Sequence, residues 1–130
     1  MVTRWRSVST SDHQWRSGAI ITAFGVLPAS IAHTRSLRRR GLLGLDNFGS
    51  ILVLPNTRWI HTLGMQFPID VAHMDASGVI VEIETVTPNK ITLPVLSARV
   101  VLESYAGMMF RHGLRKGMKI TVNHVPSAAI

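Results

Sequence analysis

The sequence predicts an α+β fold that is mainly β, a compact, partly open β-barrel or a sheet of short strands with one helix on its N-terminal side. Short apolar runs separated by Pro, Gly, Asn and Asp indicate strands joined by turns. Alternation in Val79–Val86 places Val79, Val81 and Ile83 on one face, which is typical of a half-exposed strand. One segment, which ends before Gly41, has the flanking residues of a helix.

The N-terminal part of the domain is predicted to be a strand followed by this helix. The strand covers Ala19–Leu27, which is rich in β-branched residues. Pro28 ends the strand, and Ser30 is in position to cap a helix that continues to Arg40. Gly41 follows three consecutive arginines and is a typical helix stop.

The rest of the domain is predicted to consist mainly of short strands. Asp75 and Gly78 bound an Asp-Ala-Ser-Gly turn, which joins two of the strands in a β-hairpin. Gly107–His112 is either one helical turn or a loop. The predicted strands are Ser50–Leu54, Asp70–Met74, Val79–Val86, Ala98–Ser104 and Lys119–Val125.

A length of 130 residues predicts one domain with its own core. We assign residues 1–17 to a flexible basic arm, residues 18–125 to the domain and residues 126–130 to a C-terminal tail. The chain has no cysteine, which excludes disulfides, thiolate metal sites, iron–sulfur clusters and thiol nucleophiles. We predict no cofactor and no metal, because the sequence contains no phosphate-binding glycine loop and no compact metal-ligand motif.

The basic charge of the chain, +7 in total, is concentrated in its N-terminal third. Residues 1–40 contain seven arginines and one acidic residue, Asp12, whereas residues 41–130 contain seven basic and six acidic residues. The body of the domain is therefore nearly neutral, and nucleic acid is not the expected partner. Weak nucleic-acid binding through the N-terminal arginines stays open as an alternative.

The longest apolar run, roughly residues 18–32, is interrupted by Pro28 and is too short to span a bilayer. We therefore predict no transmembrane segment. A cytoplasmic location is predicted because it fits the absence of cysteine. Export is the alternative, because arginines followed by an apolar run within residues 1–32 are also typical of a signal peptide.

The stretch Trp59–Val71 contains one acidic residue, Asp70, inside an otherwise apolar strand. Burial of a carboxylate is costly unless hydrogen bonds compensate for it, so we expect the loop at residues 61–65 to hold Asp70. This loop either has a purely structural role or shapes a polar cleft. The predicted ligand-binding residues are Trp59, His61, Thr62, Met65, Asp70, Glu103 and Arg38.

Two chemical alternatives use the same region. Asp70 and Glu103, if they meet, form a carboxylate pair suited to a hydrolase. Otherwise Glu103 caps a turn or pairs with Arg38 or Arg40. His61 and His73, together with a carboxylate, are the candidate ligands of a divalent metal, although their spacing matches no metal motif. No catalytic residue is assigned, because the chain contains no nucleophile elbow.

Several short motifs occur in a characteristic order along the chain. They are Arg38-x-Arg40-Gly41, His61-Thr62-x-Gly64-Met65-x-Phe67-Pro68-Ile69-Asp70, Asp75-x-x-Gly78 and Leu102-Glu103-x-x-Ala106-Gly107. Together they resemble the DUF192 family, also called UPF0127, over about residues 19–123. The resemblance implies a small β-rich fold with one helix near its start, and it implies no activity. His61 and Met65 stand where many members have Trp and Thr, which indicates a His-Thr-x-Gly-Met branch.

The sequence thus predicts a small DUF192-like domain that acts as a non-catalytic ligand-binding or accessory module. Its polar cleft is expected around His61 and Asp70. Its expected partner is an unidentified small molecule or peptide. The oligomeric state and any enzymatic activity stay open.

Overall fold

The computed structural model describes residues 15–42 and 50–124, which form one seven-stranded sheet and two short helices. The strands are β1 (Arg16–Thr22), β2 (Gly25–Ile31), β3 (Ile51–Pro55), β4 (Ile69–Asp75), β5 (Ile80–Val86), β6 (Ala98–Tyr105) and β7 (Thr121–His124). The helices are α1 (Arg35–Arg40) and α2 (Met108–Arg111). The predicted tail and residues 1–14 of the predicted arm lie outside the described residues, and residues 16–17 already belong to β1.

The strands follow the order β5-β4-β6-β3-β2-β1-β7 across the sheet. Neighbouring strands are antiparallel except for β2 and β3, which run parallel. Strands in a sheet twist relative to their neighbours, and here the sheet curls into a half-barrel. The predicted mainly β fold is therefore confirmed.

The two edges of the sheet meet at one end of the half-barrel. Val79 and Lys119 form an isolated antiparallel bridge. Beside it, the Ile80 N–H donates to the Met118 carbonyl (2.9 Å), and the Gly117 N–H donates to the Ile80 carbonyl (2.7 Å). The start of β5 is thereby joined to the segment that leads into β7.

Two apolar cores lie on the two faces of the sheet, because side chains alternate between the faces along each strand. The first core includes Leu102 of β6 and Met109 of α2. The second core includes Leu52 and Val101 of the sheet together with Leu37 of α1. Each helix therefore packs against a different face, and this determines which side chains lie near α1.

The prediction of Ala19–Leu27 as a single strand is wrong. Two strands, β1 and β2, form a hairpin there, with Thr22 opposite Gly25. The hairpin turn is held locally, because the Thr22 hydroxyl accepts a hydrogen bond from the Phe24 N–H (3.0 Å). Pro28 lies inside β2 and does not end it, since β3 pairs with β2 only beyond that position and needs no N–H from the proline.

The predicted start of the helix at Ser30 is also wrong, because Ser30 and Ile31 are paired in β2. Helix α1 begins after Thr34, whose hydroxyl oxygen accepts a hydrogen bond from the Leu37 N–H (3.1 Å). The predicted end at Gly41 is confirmed: this residue has φ 54°, and its N–H donates to the Leu37 carbonyl (2.9 Å).

The other predicted strands are confirmed to within two residues, except that the predicted end at Val125 lies outside the described residues. The β4–β5 hairpin across Asp75–Gly78 is confirmed as well. Within Gly107–His112 the chain forms α2. The two described helices have six and four residues, and neither can span a bilayer.

Gly78→Ala is expected to lower the free energy of unfolding by about 3 kcal/mol, because Gly78 lies where the sheet edges meet. Gly78 has φ +91°, and an added Cβ would lie 2.6 Å from the Ile120 carbonyl oxygen. The matched control is Gly117→Ala, at φ +90° with no atom within 4 Å of the added Cβ. The control should lose only about 1 kcal/mol, the backbone penalty alone. Urea unfolding measures both values, and equal losses would contradict the close approach at Gly78.

Candidate functional site

Helix α1 places four arginines near the second core without burying them. Leu37 is the buried residue of the helix and anchors it on the sheet. Arg35 and Arg39 are exposed, and Arg38 and Arg40 are partly exposed. Cationic side chains at the C-terminal end of a helix interact favourably with its dipole, so this run of arginines is compatible with a stable α1.

A cleft of about 600 Å³ lies between α1 and the segment that follows β3. Asn56 turns the chain after β3 with φ 53°, a left-handed conformation that Asn tolerates better than most residues. Arg58, two residues later, is anchored because its Nε donates to the Ala98 carbonyl (3.2 Å). Five arginines line this cleft, which we call the arginine cleft: Arg35, Arg38, Arg39, Arg40 and Arg58.

The described residues that line the arginine cleft carry far more basic than acidic groups. Among residues 15–42 and 50–124, no carboxylate forms a salt bridge with Arg35, Arg38 or Arg39. Glu103 is the one described carboxyl group that lines the cleft. Guanidinium groups bind carboxylate and phosphate oxygens with two parallel hydrogen bonds, so the chemistry of the cleft favours an oxyanion.

Glu103 forms the part of the cleft wall that the sheet contributes. It lies in β6 opposite Leu52 and Val71, so its side chain is on the face covered by α1. The backbone N–H of Leu42 donates to its carboxyl group, and burial raises the pKa of Glu103 to about 8. Gly41 permits this packing, because an added Cβ would lie 2.7 Å from Glu103 Oε1. At neutral pH the group is therefore mostly protonated and uncharged.

The segment that carries Trp59 and His61 is held by backbone hydrogen bonds to a neighbouring loop. The Thr62 N–H donates to the Lys90 carbonyl (2.8 Å), and the Thr92 N–H donates to the Ile60 carbonyl (2.9 Å). Ile60 and Thr62 are buried, whereas His61 between them is partly exposed. The alternation therefore directs His61 outward.

Trp59 and His61 both line the arginine cleft. The indole of Trp59 is 49% exposed and offers an apolar surface beside the arginines. His61 Nδ1 accepts a hydrogen bond from the Leu63 N–H (3.2 Å), so the neutral ring carries its proton on Nε2.

Thr62 and Met65 do not line the cleft. They are buried on the side of this segment that faces the protein interior. The buried Thr62 hydroxyl donates to the Thr87 carbonyl (2.7 Å) and accepts from the Lys90 N–H (2.9 Å). Met65 packs in the second core, and its N–H donates to the Thr62 carbonyl (3.0 Å). Both residues therefore help to fix the position of His61.

Asp70 lies apart from the arginine cleft, and its expected contact with residues 61–65 is wrong. Its Oδ1 accepts from the Thr85 hydroxyl (2.8 Å). Its Oδ2 accepts from the backbone N–H groups of Gly107 (2.8 Å) and Met109 (3.2 Å). Asp70 is fully buried, and it supplies the acceptor that α2 lacks at its start, since the Gly107 N-cap makes no side-chain hydrogen bond.

Asp70 and Glu103 lie on opposite faces of the sheet. The β4–β6 register pairs Asp70 with Ser104 and Val71 with Glu103. Because consecutive side chains in a strand point to opposite faces, the two carboxyl groups are separated by the sheet itself. The carboxylate pair of the hydrolase alternative is therefore wrong.

The candidate metal ligands do not come together either. His73 is fully buried in β4 opposite Glu82 and Val101, and burial lowers its pKa. In the part of the chain that the structure describes, no three His, Asp or Glu side chains are close enough together to hold a metal ion.

The structure brings four of the seven predicted site residues to the arginine cleft: Arg38, Trp59, His61 and Glu103. The predicted site did not include Arg35, Arg39, Arg40 or Arg58. The first three could have been found from the arginine run before Gly41, which indicates one helix end. Arg58 gave no such signal, because its position depends on the turn at Asn56 and on a contact with β6.

A family model named DUF192 and described as "Uncharacterized ACR" matches residues 19–122. No curated protein matches the chain significantly. A protein of unknown function from Novosphingobium aromaticivorans has a similar structure (TM-score 0.68, 19% identity, covering 82% of this chain and 84% of that one). A "putative transcription regulator" from Sinorhizobium meliloti also has a similar structure (TM-score 0.69, 21% identity, covering 83% of this chain and 93% of that one). At these identities the two structures show the fold alone.

Proposed function

The chain belongs to the DUF192 family, and we propose that it is a non-catalytic module whose arginine cleft binds a small anionic ligand. One observation carries the proposal: five arginines surround a cleft of about 600 Å³. Cavities of roughly 300–1,000 Å³ are the usual size for small-molecule sites.

The protonation state of Glu103 supports the proposal that the ligand is an anion. A charged carboxylate would repel an anionic ligand, but the pKa of Glu103 is raised to about 8 by burial, so the group is mostly neutral at pH 7. Its Oε1 is buried and has no hydrogen-bond partner among the described residues. In its uncharged form the carboxyl group does not repel an oxyanion in the cleft.

We also propose that the chain represents a His-Thr-x-Gly-Met branch of the family. The support is structural: Thr62 and Met65 fix the segment from behind, and His61 lines the cleft. Gly64 has φ +81°, and its N–H donates to Asn89 Oδ1 (3.0 Å). Each position of the motif thus contributes either to the cleft or to the support of the cleft.

Arg38→Gln is expected to weaken the binding of inorganic pyrophosphate by about tenfold, because it removes one charge-assisted pair of hydrogen bonds. Isothermal titration calorimetry measures the dissociation constant. The control is Arg115→Gln, which removes the same charge from an arginine that lies over Phe110, away from the cleft. The control should bind pyrophosphate like the unaltered chain. Absence of saturable binding, or equal losses in both variants, would overturn the proposal.

Single-stranded nucleic acid is a second candidate ligand. The arginine run beside the exposed Trp59 favours it, since basic grooves with a stacking aromatic residue are typical of single-strand binders. An oligonucleotide that binds with a steep salt dependence, and that pyrophosphate fails to displace, would replace the small-anion proposal.

The proposal retains the cytoplasmic location and the single domain of residues 18–125. Fractionation of cells that produce a C-terminally tagged chain tests the location. An exported chain shortened at its N-terminus would favour the signal-peptide alternative.

A further inference from the structure

We propose that the ligand of the arginine cleft is amphipathic: a single-chain amphiphile with an anionic head at the arginines and an apolar tail on the surface beside them. This inference rests on the proposed anion-binding function and names the class of ligand.

Five large apolar side chains are exposed on the two segments next to the cleft. We call this surface the apolar rim; it consists of Trp59, Leu63, Ile91, Leu93 and Leu96. Their exposed fractions range from 45% for Leu63 to 84% for Leu93. Clustered exposed apolar side chains are a common mark of a binding surface, because covering them releases water.

The backbone arrangement directs much of the rim to the same side as His61. The bridge between His61 and Ile91 has no hydrogen bond between the paired residues themselves, a geometry that brings their side chains close together. Thr92 is buried beside Ile60, and its hydroxyl accepts from the Ile60 N–H (3.0 Å). Ile91 and Leu93, on either side of Thr92, therefore point outward. The rim is a preformed surface, which lowers the entropic cost of binding.

Trp59 connects the rim to the arginine cleft, because it lines the cleft and is half exposed. A purely polar anion would leave the rim uncovered, and a purely apolar ligand would leave Arg35, Arg38 and Arg39 without a counter-charge from the described residues. An amphipathic anion satisfies both surfaces at once. Charge complementarity sets its orientation, with the head among the arginines and the tail towards Leu93.

A chain-length series tests this inference. Calorimetry measures the affinity for ethyl, butyl and hexyl phosphate, each kept below its critical micelle concentration. The three ligands share the phosphate head and differ only in the length of the alkyl tail. A fully buried methylene would raise the affinity about fourfold, and an open rim covers about half of each methylene. We therefore expect about a twofold gain per methylene, or about sixteenfold over the four methylenes that separate ethyl from hexyl phosphate.

Leu93→Ser should remove most of this gain while leaving the affinity for ethyl phosphate unchanged. The matched control is Phe24→Ser, which removes a similarly exposed apolar side chain (77%, against 84% for Leu93) from the β1–β2 turn and should keep the full gain. Both side chains are largely solvent-exposed, so both variants are expected to fold, and circular dichroism verifies this.

The outcomes separate the two proposals. Saturable binding of all three phosphates with equal affinity overturns the amphiphile and leaves the anion-binding function intact. No binding of any phosphate overturns both. Binding to vesicles of phosphatidylglycerol and phosphatidylcholine, without binding to monomeric hexyl phosphate, overturns the inference in favour of a membrane surface.

Discussion

Asp70→Ala is expected to lower the free energy of unfolding by about 4 kcal/mol. The substitution leaves three donors without their acceptor: the Thr85 hydroxyl and the backbone N–H groups of Gly107 and Met109. Thr85 is exposed, so its hydroxyl can turn to water, whereas the N–H groups of Gly107 and Met109 are partly and fully buried. Each buried donor left unpaired costs about 1–3 kcal/mol, so these two N–H groups account for most of the loss. Asp70→Asn should lose less, about 2 kcal/mol, because it keeps one acceptor oxygen. Urea unfolding followed by circular dichroism measures these losses.

Asp75→Ala is the matched control for this prediction. Asp75 Oδ1 also accepts three hydrogen bonds, from the Ser77 N–H, the Ser77 hydroxyl and the Val79 N–H, but in a turn that water reaches. Its donors can bond to water after the substitution, so the loss should be much smaller than for Asp70→Ala. Equal losses would show that Asp70 does not hold α2 in the way described.

Glu103→Gln is expected to change the pH dependence of stability. The folded chain holds the Glu103 proton up to pH of about 8, whereas the unfolded chain releases it near the ordinary pKa of 4.5. Between these values the unfolded state binds fewer protons, so stability falls as the pH rises, by about 1.4 kcal/mol per pH unit. Gln cannot ionise, and its amide oxygen can still accept from the Leu42 N–H. The variant should therefore lack this decline and be more stable than the unaltered chain at pH 8.

The difference between the two unfolding free energies, measured in urea at pH 5, 6, 7 and 8, isolates Glu103. His73 acts in the opposite direction, since burial lowers its pKa and its contribution is lost as the pH falls below the ordinary value of 6.5. This effect cancels in the difference. Glu84→Gln, at an exposed position of β5, should leave the profile unchanged. Parallel profiles for Glu103→Gln and the unaltered chain would contradict the protonated state.

The sequence predicted the strands in which apolar and polar residues alternate clearly. It missed the β1–β2 hairpin, in which they do not. Val79–Val86 alternates regularly, and its strand and hairpin are confirmed. The turn between β1 and β2 contains Ala and Phe, which are weak turn formers, and the Thr22 hydroxyl stabilises it instead. Pro28 indicated a strand end, but whether a proline is tolerated depends on the neighbouring strand, which no local pattern specifies.

The candidate site was predicted only in part, because local sequence indicates burial but does not specify long-range partners. The burial of Asp70 was expected from its apolar neighbours and is confirmed. Its partners were not, because Gly107 and Met109 lie more than thirty residues away in sequence. The opposite orientation of Asp70 and Glu103 depends on the β4–β6 register, a long-range feature with no signal in either strand alone.

The pairing of β1 with β7 also constrains how quickly the protein folds. Ile21 lies opposite Thr121, so this ladder closes a loop of about one hundred residues. Contacts between such distant residues form slowly, and on a ribosome the edge of β1 that is not paired with β2 must wait until β7 has been synthesised. Until then this edge presents unpaired backbone groups that can template aggregation, so the chain is vulnerable until β7 is complete.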